Sequence, residues 1–208
     1  MTKVMIFAED QNDAHAIKII IKHLEPHVAV SIRRDPIVLS RNATRPKLGN
    51  MYNKMAAFAK AEALGGIKVV VVAHRDCDSC EPAHEPNSAE LEREMKAAGI
   101  THPVAATPAW EIEAWWMLVP EALAATRGCW KTVNFANKNV GDIANAKQVL
   151  RTALRPTGIA AKRCPDYTES DSQRIAEESV RLGLVPSRFE TCQSFKIFKK
   201  SLSAAVNK

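Results

Sequence analysis

Apolar and polar positions along the chain switch repeatedly between a period of two or less and a period near 3.6. Val4 to Ala8 is a short apolar run that ends in Glu9-Asp10, and Ala14, Ile17, Ile20, Ile21 and Leu24 then recur at helical spacing over Gln11 to Leu24. That predicts a strand followed at once by an amphipathic helix. Val28 to Ile32 and Ile37 to Leu39 are further strand candidates, and Met51 to Leu64 predicts a second helix that Gly65-Gly66 ends. Val69-Val70-Val71-Val72-Ala73 is too short for a long helix and β-branched throughout, which predicts a central strand covered on both faces. The two prolines of the loop from Cys80 to Pro86 block regular structure, so Ser88 is expected to cap a helix running to about Ala98. Val104 to Thr107 predicts another strand. Thr107 then caps a helix with Pro108 in its first turn and Ile112, Trp115, Trp116 and Val119 on its apolar face.

Strands alternating with helices predict a right-handed, mostly parallel sheet, an α/β fold. Beyond Leu118 the pattern turns helical over 144–154, 170–182 and 192–206, joined by segments carrying Pro156, Gly158, Pro165, Gly183 and Pro186. The organisation expected is therefore an α/β core over 1–120 and a helical C-terminal extension over 121–208 packed on it. A length of 208 residues fits that size, and 46% hydrophobic with 25% charged residues is ordinary globular composition. No apolar run approaches the length of a membrane span. Met1 to Phe7 reads as a strand rather than a signal peptide, so a cytoplasmic location is expected. Five cysteines, an odd number, fit reduced thiols better than a disulfide framework.

Candidate chemistry gathers where strands end. The Val69–Val72 run passes into His74-Arg75-Asp76-Cys77-Asp78, and ligand crevices of open α/β sheets lie beyond the carboxyl ends of such strands. In an extended continuation Asp76 and Asp78 point the same way. Converging carboxylates repel unless a cation or shared proton intervenes, and Mg²⁺ or Mn²⁺ suits an oxygen-only donor set. Aspartates after a strand are also common turn chemistry. Glu9 sits at the same sheet edge if the two strands are parallel, and Asp13 reads as a first-turn helix residue favoured by the dipole, the alternative being a place behind the edge carboxylates that supports them. Glu111 and Glu113 flank the apolar face of their helix about 200° apart, so one of them can reach the edge. A zinc site over His74, Cys77, Cys80 and His84 lacks a second Cys-x-x-Cys to complete it, which leaves the cysteines as thiols.

The formal net charge is +6, and from Gly141 onward twelve Lys or Arg face seven Asp or Glu. Arg33, Arg34, Arg41, Arg45, Lys47 and Lys54 form a second basic run before the central strand. Basic surface around an acidic centre suits a phosphodiester substrate.

Taken together, Glu9 with Asp13, the Asp76-x-Asp78 pair and Ile112-Glu113-Ala114-Trp115 resemble the TOPRIM fold. They are similar in particular to a family of small TOPRIM-like bacterial proteins related to the OLD-type nucleases. Asn145-Ala146-Lys147-x-x-Leu150, Tyr167, Ile175-Ala176 and Ser194-Phe195-Lys196-x-Phe198 resemble the later blocks of that family, so the likeness spans most of the chain. The resemblance implies a TOPRIM or Rossmann-like sheet, metal-binding and catalytic carboxylates at Glu9, Asp76, Asp78 and Glu113, and Glu113 rather than Glu111 because it precedes Ala-Trp. Where the family has Glu-Gly, this chain has Glu9-Asp10. The turn is then expected to rely on aspartate in place of glycine.

The expected activity is Mg²⁺- or Mn²⁺-dependent hydrolysis of phosphodiester bonds in DNA or RNA, in a defence or repair setting. The alternative from another class is a non-catalytic nucleic-acid-binding or assembly subunit working with a separately encoded ATPase. Chemistry on a small phosphorylated molecule is a third reading, for which the chain offers no Gly-rich phosphate loop.

Overall fold

The computed structural model describes residues 1–33, 45–135, 138–158 and 163–207, with side chains described from Asn50 onward in the second of these stretches. Four strands, β1 (Thr2–Ala8), β2 (Ala29–Ile32), β3 (Lys68–His74) and β4 (Pro103–Ala106), form one sheet in the order β2-β1-β3-β4. All three pairings are parallel. The fold is therefore α/β with helices flanking a parallel sheet. β1 and β3 occupy the centre and pair with Ile6 opposite Val72 and Ala8 opposite His74, so both strands end at the same edge. Their runs are apolar on both faces because helices cover both.

One face carries α2 (Arg45–Ala63) and α3 (His84–Ala97). Tyr52, Met55, Leu91 and Met95 pack there against Met5, Phe7, Val71 and Ala73. The other face carries α1 (Gln11–Leu24) and the C-terminal helices, with Val4, Ile6, Val70, Val72 and Val104 sharing one core with residues of every later helix. Those helices are α4 (Glu113–Trp116), α5 (Pro120–Thr126), α6 (Ala146–Leu154), α7 (Ser172–Arg181) and α8 (Gln193–Asn207). The tryptophans fasten this layer. Trp115 Nε1 donates to Ser194 Oγ (3.0 Å), and Trp116 Nε1 donates to Ser172 Oγ (3.2 Å). At the outer edge of β4, Glu92 accepts from the Ala105 amide (3.3 Å) and from Ser201 Oγ (2.8 Å), tying α3 to α8 across an otherwise open edge.

Several sequence expectations change. α3 starts at His84 rather than Ser88, because Pro86 falls in the first turn, where a missing N–H costs nothing. The segment 107–112 is not helical. The Cys77 amide donates to Pro108 O (3.3 Å), Asp78 N to Trp110 O (3.0 Å) and Trp110 N to Ser79 O (2.9 Å), so both chains run on irregularly past β3 and β4. This pairing holds Asp78 (φ 51°) and Trp110 (φ 59°) in the left-handed region, and α4 forms only at Glu113. α5, with Pro120 in its first turn, adds a helix to those the sequence pattern marks. Cys129 and Cys164 form a disulfide, against the expectation of reduced thiols throughout, while Cys77, Cys80 and Cys192 remain thiols. The strand candidate Ile37 to Leu39 lies outside the described residues. Among the described residues no helix is long and apolar enough to cross a membrane.

Candidate functional site

At the carboxyl edge of β1 and β3 the chain gathers acidic side chains from four segments. Glu9 leaves the end of β1 into solvent, and Asp10 follows with φ −122° and ψ 146°. That backbone is extended, so nothing in the turn requires glycine. Asp10 instead caps α1, its carboxylate accepting from the Asn12 amide (2.6 Å). One turn on, Asp13 is buried.

β3 supplies His74, and the irregular segment after it supplies Asp76 and Asp78. The His74 ring is fully buried and stands between two carboxylates, with Nδ1 4.0 Å from Asp13 Oδ2 and Nε2 3.5 Å from Asp76 Oδ1. Among the described residues neither ring nitrogen has a hydrogen-bond partner, nor do Asp13 Oδ1 and Asp76 Oδ1. Burial pulls the imidazole down, but Asp76, Asp13 and Glu9 outweigh it and push it up to about 9. Asp13 is raised to about 7 by burial, with His74 opposing and Asp76, Asp10 and Glu169 adding. Glu9 is raised by burial; His74 opposes, and Asp76 and Asp78 add. Asp78 itself is exposed, on the left-handed turn described above.

The two glutamates expected on one helix prove to have different surroundings. Glu111 precedes α4, and its carboxylate accepts from the Lys147 amide (2.8 Å) at the start of α6. Its pKa is raised first by burial, with Lys147 opposing and Asp76 and Asp78 adding. Glu113 opens α4, is 1% exposed and accepts from the Tyr167 hydroxyl (3.0 Å), which in turn lies 3.2 Å from Ser172 Oγ. Burial lifts Glu113 to about 8, with Lys147 opposing and Asp13 adding. Glu111 thus faces the Asp76-x-Asp78 pair, and Glu113 faces Asp13 and Tyr167. Lys147 Nζ lies 2.6 Å from Glu169 and 3.8 Å from Glu111, so one cation serves three carboxylates counting Glu113.

Glu9, Asp76 and Asp78 therefore fall within one electrostatic centre, with Glu111 beside them and Glu113 one layer deeper. Asp13, His74 and Lys147 belong to it as well. Asp13 reads from sequence as a helix-end charge and His74 as part of an apolar strand. The one available signal was a histidine on the same strand face as Asp76, two residues before it. Among the described residues no three His, Cys, Asp or Glu side chains already stand around a common point in ligating geometry.

Cys77 and Cys80 are engaged elsewhere: Asn87 Nδ2 donates to Cys77 Sγ (2.9 Å), and Cys80 Sγ donates to Asp142 O (3.3 Å). Comparison with protein-family models, with curated proteins and with solved structures finds no match.

Proposed function

We propose that the protein is a metal-dependent, nuclease-like enzyme that hydrolyses phosphodiester bonds in DNA or RNA at the carboxyl edge of β1 and β3. The observation that carries this reading is the convergence of Glu9 and Glu111 on Asp76 and Asp78 at one strand edge. Burial first, and then the charges of Asp76 and Asp78, push up the carboxyl groups of Glu9 and Glu111, as at a site short of positive charge. The motif resemblance to TOPRIM proteins related to OLD-type nucleases points the same way.

A hard divalent cation, Mg²⁺ or Mn²⁺, fits the donor chemistry, since every candidate ligand is a carboxylate oxygen and Asp76 Oδ1 has no hydrogen-bond partner among the described residues. Among the described residues the ligating arrangement is not preassembled, and the exposed side chains of Glu9 and Asp78 are the ones with room to turn toward an ion. Glu9, Asp76 and Asp78 would hold the ion; Glu113 is the fourth ligand by resemblance, and Glu111 by its electrostatic contact. The ion supplies Lewis-acid chemistry, activation of water and stabilisation of charge on the phosphate. The remaining work falls to the chain itself. Asp13 and His74 brace Asp76 from below, Tyr167 orients Glu113, and Lys147 places a positive charge at the rim, where a phosphate oxygen gains negative charge.

The direct test is incubation of purified protein with single- and double-stranded DNA and RNA in Mn²⁺ or Mg²⁺. Cleavage that EDTA and Asp78→Asn both abolish is the expected result. Binding without cleavage under all those conditions would replace the proposal with a non-catalytic nucleic-acid-binding subunit, of the kind that works with a separate ATPase.

A further inference from the structure

Arg75 breaks the rule that buried charges are paired. It follows His74 at the end of β3, and its amide still continues the ladder by donating to Ala106 O (3.2 Å), so its side chain leaves the sheet on the face opposite His74. That is the face of Ala73, Tyr52 and Leu91, under α2 and α3. Arg75 is 5% exposed, yet among the described residues its guanidinium enters no hydrogen bond and no ion pair. Tyr52 of α2, also 5% exposed, is a second donor on the same face of the sheet. Burial raises its phenol, and Arg75 is close enough for its charge to oppose that rise. The Tyr52 hydroxyl likewise has no hydrogen-bond partner among the described residues, and neither polar head is sealed from solvent. The carboxylates that also act on Tyr52, Glu94 and Glu90 of α3, are half-buried and exposed respectively, and lie 3.4 and 3.8 Å from Arg93.

A guanidinium withdrawn from water without a counter-charge costs stability, and its planar fork matches two oxygens of an oxyanion. A neighbouring phenol adds a third donor from another direction, which suits a tetrahedral anion better than a planar one. We propose that Arg75 and Tyr52 form an anion subsite that takes a phosphate group of the nucleic-acid backbone, on the sheet face opposite His74 and one residue from the acidic centre. The nature of the anion rests on the nuclease-like reading; the existence of the subsite does not. The acidic edge alone repels a polyanion, so a fixed cation beside it supplies the attraction that positions the strand.

The test uses wild type, Arg75→Gln and Tyr52→Phe, first in EDTA and again with Ca²⁺. Affinity for a fluorescein-labelled single-stranded oligonucleotide is measured against salt, and melting temperature against inorganic phosphate. Arg75→Gln should weaken oligonucleotide binding about tenfold and reduce the slope of log K against log salt by about one. Tyr52→Phe should weaken it severalfold, and phosphate should protect wild type but not Arg75→Gln. Without ligand, Arg75→Gln should melt no lower than wild type, because no partner is lost; a purely structural arginine would give the reverse. Unchanged affinity and slope in both variants, or a wild type that binds neither probe, overturns the subsite. Arg75-dependent protection by phosphate with no oligonucleotide binding keeps the subsite and overturns the nucleic-acid reading.

Discussion

His74 Nε2 lies 3.5 Å from Asp76 Oδ1 while its other ring nitrogen faces Asp13, and the ring is wholly buried. A buried imidazole between two carboxylates is stable as the cation, which makes the acidic edge less negative from beneath. It also links the edge to α1, so that the first helix and the central strand share one electrostatic unit.

Stability of the metal-free protein should therefore fall as pH rises from about 5 to about 9. Asp13 and Glu113 have folded values of about 7 and about 8, above their ordinary 3.8 and 4.5. The folded state binds more protons than the unfolded one across that interval. Their contribution is fully present below the ordinary values and is lost as pH climbs through the folded ones. His74, raised from 6.5 to about 9, acts with the same sign over pH 6.5 to 9. His84 acts oppositely: it is wholly buried, has no hydrogen-bond partner among the described residues, and burial lowers it, so its contribution is present above 6.5 and fades below. Three groups outweigh one. Melts in EDTA across this range should show the decline, with a shallower slope for Glu113→Gln; a melting temperature that climbs from pH 5 to 8 would contradict the assignment.

Gly141 and Glu81 make a second checkable contact. A β-carbon at Gly141 would overlap the Glu81 carboxyl group, which accepts from the Ser194 amide (3.2 Å) at the start of α8 and from Asn139 Nδ2 (3.3 Å). Gly141→Ala should thus cost about 1 to 3 kcal/mol by displacing that carboxylate. In a Glu81→Ala background the same substitution should cost much less, giving a coupling energy in urea unfolding. Equal costs in both backgrounds would mean the contact is not what excludes a side chain at Gly141.

Local pattern made the sheet and most helices legible. The apolar period over Gln11–Leu24 marks α1 at its observed bounds, and the runs at Val4 and Val69 mark the two central strands, because burial on both faces leaves no other composition. What stayed hidden depended on contacts between distant segments. The irregular pairing of 77–79 with 108–110 overrides the helical signal of Pro108, and only that pairing separates Glu111 from Glu113. The Cys129–Cys164 bridge joins segments 35 residues apart, a partnership that spacing does not encode. Of the acidic centre, Glu9, Asp76 and Asp78 were legible as strand-end residues. Asp13 was legible only as an alternative reading and Lys147 not as a member, since a helix-end charge and a surface lysine look ordinary until the fold brings them beside His74 and Glu111.

The remaining prediction separates the candidate ligands. A divalent cation that binds only the folded protein stabilises it by about 2.7 kcal/mol at a hundredfold excess over its Kd. For a chain of this size that is a rise of roughly 5 to 10 °C in melting temperature. Asp78→Asn is the cleanest probe. Asp78 is exposed and left-handed, and asparagine tolerates that backbone as well as aspartate does. The metal-free variant should melt at or above wild type, relieved of one negative charge, while its response to Mn²⁺ or Mg²⁺ shrinks. Asp76→Asn should lose the metal response too, but with a lower metal-free melting temperature, because His74 is left without its nearer carboxylate. Glu111→Gln and Glu113→Gln then decide the fourth ligand. Removing the side chain that faces Asp76 and Asp78, Glu111, should cut the shift more than removing Glu113, whose carboxylate is held by Tyr167. The opposite order would assign the ion to Glu113, and a full shift in Asp78→Asn would remove the metal from this edge altogether.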